Sequence, residues 1–169
     1  MDRRTALTST MLLCAGFALA TSEATAEQKS LKDQLVGAWT VVTSTTTLPE
    51  GSSAWGPNPK SLYIFTENGR YSSHLMRSDR PKFGANSRVK GTAAENEAAV
   101  HGAISSFGTY SVDEANKTIT IRFEGSTYPN REGTQQTRPF TIECDELRVS
   151  NPAPSTGGPP SQLIYKRDK

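Results

Sequence analysis

The sequence predicts a mainly β protein: an up-and-down antiparallel barrel of eight strands with one short helix. Three observations carry that prediction. Apolar residues recur at every second position in several short runs. Turn-forming residues separate these runs in hairpin order. No strand–helix–strand alternation of the kind that builds a parallel sheet is present.

The chain has 169 residues, enough for one domain. Its first strand is expected over residues 37–47, GAWTVVTSTTT, where Val, Thr and Trp suit a pleated, half-buried surface. Residues 48–60 form a loop with Pro49, Pro57 and Pro59 around a large aromatic, Trp55. Residues 62–66 (LYIFT) and 70–77 (RYSSHLMR) make a hairpin across Asn68-Gly69, a pair that tolerates positive φ. The chain then leaves the sheet through a polar, basic stretch, 78–91.

Residues 92–104 read as the helix. Thr92 is an N-cap candidate with Glu95 three residues on, and Val100 and Ile104 fall four apart on one face. Strands follow at 107–112 and at 117–124, where Ile119, Ile121 and Phe123 alternate with Thr118, Thr120 and Arg122. A hairpin over 136–144 and 146–150 turns at Asp145. A Pro/Gly-rich connection over 151–160 leads to a last strand at 163–166.

The N-terminus carries the three parts of an export signal. Arg3 and Arg4 supply the charge, residues 6–20 a modest apolar run, and Ala24-Thr25-Ala26 a small-x-small cleavage site. Residues 1–26 are therefore expected to be a cleaved signal peptide, and 27–169 the mature domain, periplasmic or secreted. Arg3-Arg4 fits either the twin-arginine or the general route. Cys14 would leave with the signal. That leaves Cys144 alone, unable to make an internal disulfide and disfavoured as a thiolate by Glu143 and Asp145.

Lys plus Arg number 19 and Asp plus Glu 17, too small an excess to predict a nucleic-acid or anionic-membrane partner. No apolar run is long enough for a transmembrane helix. Two His and scattered acids have no metal-ligand spacing, and no nucleotide-binding fingerprint or nucleophile elbow occurs. No cofactor or metal is expected, and the oligomeric state is left open.

Beyond these patterns, several stretches resemble the bacterial and fungal lipocalin-like domain family. Gly37-x-Trp39 opens the first strand, where the resemblance implies that the Trp packs across the closed end of the barrel. Further matches are Gly56-Pro57-Asn58-Pro59-Lys60, Gly69-Arg70-Tyr71-Ser72, Asp79-Arg80-Pro81-Lys82-Phe83, Phe107-Gly108-Thr109-Tyr110, Arg138-Pro139-Phe140 and Asn151-Pro152. The resemblance runs from about Leu35 to Lys166. It implies a lipocalin-like barrel binding a small hydrophobic or amphipathic molecule, and no common reaction. One departure is the loop YPNREG, residues 128–133, where the family often has an aromatic near Arg131.

An eight-stranded barrel encloses either packed side chains or one small ligand. The ligand-binding candidates are Trp55, Tyr63, His74, Met76, Arg77, Phe83, Phe107, Tyr110 and Arg138. Phe65 and Phe123 read as core. His74 shares a strand face with Ser72 and Met76. Facing inward it orients a ligand or moves a proton; facing outward it is a surface residue. Arg77, Arg80, Lys82, Arg88 and Lys90 form either an anion-holding segment or a solvated loop. Three functions stay open: a carrier, a cofactor-free isomerase or cyclase using His74, Tyr63 or Tyr110, and an accessory domain with a filled barrel. The carrier leads.

Overall fold

The computed structural model describes residues 29–169. The expected signal peptide lies outside the described residues. A helix of five residues, α1 (Leu31–Leu35), precedes eight strands: β1 (Gly37–Ser44), β2 (Lys60–Phe65), β3 (Arg70–Met76), β4 (Ala103–Asp113), β5 (Thr118–Ser126), β6 (Gln135–Glu143), β7 (Glu146–Asn151) and β8 (Ser161–Arg167). Helix α2 (Ala93–His101) lies between β3 and β4, and a 3-10 turn, Pro129–Arg131, between β5 and β6. Each strand pairs antiparallel with the next, and β1 pairs with β8, so the sheet closes with no free edge.

The period of two decides what fills the barrel. In β5, Ile119, Ile121 and Phe123 point inward and are almost fully buried, as their alternation predicts. Tyr63 and Phe65 of β2, Tyr71 and Leu75 of β3, Tyr110 of β4, Phe140 of β6, Leu147 and Val149 of β7, and Leu163 and Tyr165 of β8 share that interior.

One end is sealed. Trp39 is wholly buried, and its indole N–H donates to the Leu35 carbonyl at 2.8 Å. The Arg167 guanidinium lies 4.1 Å from the Trp39 ring centroid and donates to the Val36 and Gln34 carbonyls. Gly37 takes φ +132°, and a Cβ there would stand 2.9 Å from Arg167 Nη1. These contacts explain why the first strand opens Gly-x-Trp. Glu114 closes the same end by accepting the Leu31 and Lys32 amides, which caps α1.

Several elements differ from the sequence expectation, β4 among them, which starts at Ala103 rather than at Phe107. The first strand ends at Ser44, because the β1–β8 register shifts between Val41 and Thr43 and the chain then peels away to an isolated bridge, Thr47 to Ser53. The helix stops at His101. Thr92 and Glu95 form the expected capping box, but Val100 is 68% exposed and Ile104 belongs to β4. Their four-residue spacing is thus no helical face. The short helix α1 was not anticipated. Finally, the Asn68-Gly69 turn has only Gly69 at positive φ, +79°. The Gly69 amide bonds to Thr66 O and the Thr66 amide to Arg70 O, a turn ending in a glycine bulge rather than a two-residue one.

Candidate functional site at the open end of the barrel

The opposite end carries the long connections. The ends of β1, β3, β5 and β7 and the starts of β2, β4, β6 and β8 face it, together with α2 and the 3-10 turn. Beneath these loops an interior cavity of about 50 Å³ remains. That is room for a few water-sized groups and far too little for an enclosed hydrophobic chain. A second, largely apolar hollow of about 570 Å³ lies outside it, between Leu48-Pro49, α2 and Tyr128. Trp55, Ile104 and Ser155 line both, so the two spaces are neighbours across these side chains.

Alternation in β6 builds the cavity's most unusual feature. Phe140 and Arg138 are both buried at inward positions, so an arginine lies inside the barrel, 8% exposed. Its Nε and Nη2 donate to Gln136 Oε1 at 2.9 and 2.6 Å. Gln136 in turn donates to Asn151 Oδ1 and Ala153 O. The 3-10 turn brings in a second guanidinium, Arg131, which lies 5.1 Å from the Phe123 ring centroid. Burial, and then the charge of Arg138, lower its pKa to about 10. Among the described residues no carboxylate lies within ion-pair distance of either arginine.

Trp55 is 6% exposed, and its indole N–H is fully buried with no hydrogen-bond partner among the described residues. Tyr63, Tyr71 and Tyr165 complete the wall. Burial holds all three phenols above their ordinary pKa, Tyr165 at about 12.

The other candidates lie elsewhere. In β3 the inward residues are Tyr71, Ser73 and Leu75, so His74 and Met76 fall on the outer face. His74 Nε2 lies 3.0 Å from Ser72 Oγ and Nδ1 3.1 Å from Ser105 Oγ, which occupies both ring nitrogens. Met76 Sδ takes a contact from Arg80. Arg77 is a strut: it pairs with Asp79 at 2.7 Å and donates to the Ser53 and Ala54 carbonyls, tying the Trp55 loop to β3. Phe83 packs over Gly91 in the loop before α2.

Phe107 is on the outside, 51% exposed, its ring filling the space where a Gly125 side chain would stand. Tyr110 is interior but belongs to the sealed half, where its hydroxyl donates to Thr66 O at 2.8 Å and its ring meets Phe65 edge-on. Of the nine candidates, the structure brings Trp55, Tyr63 and Arg138 together. Sequence reasoning missed Tyr71, Tyr165 and Arg131. Parity with Leu75 and with Leu163 places the two tyrosines inward, but nothing local in YPNREG marks Arg131.

The sequence profile of the lipocalin-like domain matches residues 36–167, nearly the whole described chain. The chain belongs to the lipocalin-like domain family. No curated protein matches it. A lipocalin-like barrel with a cavity beneath its loops is an architecture suited to holding a small ligand, and no helix among the described residues is long and apolar enough to cross a membrane.

Proposed function

We propose that this lipocalin-like protein is an exported binder of one small amphipathic molecule, made with residues 1–26 as a cleaved signal and acting in the periplasm or outside the cell. The observation that carries the binding reading is that a small interior cavity lined by Arg131 and Arg138 and a larger apolar hollow adjoin across Trp55 and Ile104. A wholly apolar ligand would leave the interior arginines without a partner, and a wholly polar one would leave the hollow wet. An amphipathic molecule satisfies both, with its polar end inside and its apolar part under α2 and Tyr128.

Binding is favoured over catalysis by the chemistry of the wall. The imidazole of His74 lies on the outer face, and the cavity phenols are held far from neutral pKa by burial, a poor state for exchanging protons at neutral pH. Native mass spectrometry of the protein purified from its own host tests the reading. A bound small molecule, with a chain beginning after Ala26, is expected. A ligand-free mass at every concentration, with no small molecule released on denaturation, would contradict it.

A further inference from the structure

Two side chains that line the interior cavity, Arg131 and Trp55, leave donor groups without an acceptor among the described residues. The Arg131 guanidinium makes no hydrogen bond among the described residues, and Arg138 spends two of its N–H groups on a single oxygen of Gln136. The Trp55 indole N–H is buried and unpartnered. Among the described residues it is the one fully buried side-chain polar atom without a partner, and Tyr63 and Tyr165 line the same wall. Buried donors without acceptors are rare in folded proteins, and two guanidinium groups sharing a wall repel each other. One species removes both costs: an oxyanion.

We propose that the cavity is an oxyanion site in which Arg131 and Arg138 grip the charged head of an amphiphile, with the Trp55 indole N–H as a further donor and the tail lying in the hollow between Leu48, Val100 and Tyr128. This rests on the binding reading above and narrows it to a ligand class: single-chain carboxylates or phosphates, bound head inward. The size of each space agrees. About 50 Å³ admits a head and no chain, whereas the 570 Å³ hollow is apolar and open along one side. Arginine suits the task because its planar fork stays charged and meets an oxyanion through paired N–H groups.

In this proposal the charge that holds the ligand belongs to the barrel interior. No basic residue of the stretch 77–90 lines the interior cavity, Arg77 is paired with Asp79, and Arg80 is engaged by the Arg77 carbonyl and Met76.

The test is calorimetric titration of the purified protein with four ten-carbon probes: decanoate, monodecyl phosphate, decanol and decyltrimethylammonium. Tighter binding of either anion than of decanol by roughly tenfold or more is expected, and which anion wins separates a carboxylate from a phosphate ligand. Arg131→Met and Arg138→Met should each abolish the anion preference. Arg122→Met, on the outer face of β5, should leave it intact. Arg131 lies on a surface turn, so its variant keeps the test valid even if Arg138→Met does not fold.

Equal binding of decanol and decanoate, unmoved by Arg131→Met, would overturn the oxyanion site while leaving an amphiphile binder. Binding of none of the four would overturn both.

Discussion

The two ends of this barrel use the same residue types to opposite purposes. At the sealed end, Trp39 gives its indole N–H to the Leu35 carbonyl, and Arg167 stacks on the ring and donates to two more carbonyls. At the open end, Trp55 keeps a buried N–H with no partner. Arg138 leans on one glutamine, and Arg131 on one aromatic ring. The Trp39 N–H is met where the Trp55 N–H is not, and Arg167 bonds two separate backbone carbonyls where Arg138 bonds one side-chain oxygen. Residue identity does not separate these roles; the partners of each donor do.

The largest effect should follow from breaking the sealed end. Trp39→Ala removes a wholly buried indole and the platform for Arg167, at a cost of roughly 3–5 kcal/mol. A fall of that size in unfolding free energy by urea titration is expected. A loss under about 1 kcal/mol would mean that this end is not the structural one.

A smaller effect of opposite sign is expected at the open end. Arg131 is charged in both folded and unfolded chains at neutral pH, and the fold depresses its pKa to about 10, so its burial opposes folding. That penalty is fully present at neutral pH and fades as pH rises through about 10. Arg131→Met should therefore stabilise the ligand-free protein by about 1 kcal/mol, a rise of a few degrees in Tm. The advantage should shrink in alkaline buffer. Destabilisation by this variant would place Arg131 among the structural groups and erase the contrast between the ends.

Strand order and the hairpin chain were legible in the sequence because alternation and turn residues are local signals. Ile119, Ile121 and Phe123 needed nothing beyond their spacing. Gly37-x-Trp39 was legible through family resemblance, and the structure supplies its physics in the close approach of Arg167. The site was legible only in part. In β6, the parity of Phe140 already places Arg138 inward, and in β3 the parity of Tyr71 and Leu75 already sends His74 outward. Reading each residue's chemistry ahead of its strand's phase left His74 open between an inward and an outward position.

Phe107 misled for the same reason: parity with Tyr110 already sends it outward, and a glycine on the neighbouring strand gives the ring an exterior seat. The family resemblance marked the loop of Arg131 as a departure, but did not show that the arginine enters the barrel. Its loop is polar and ordinary, and only closure of the barrel carries it to Arg138.

The chain has two tryptophans, one at each end of the barrel, and their indole N–H groups can be followed separately in ¹⁵N NMR. Titration with decanoate tests the central claim most directly. The account predicts that the Trp55 indole signal moves and saturates as its orphaned N–H gains an oxyanion acceptor or a new neighbour, while the Trp39 signal, already bonded to Leu35, stays in place. An unmoved Trp55 signal at saturating decanoate, or equal movement of both, would contradict it.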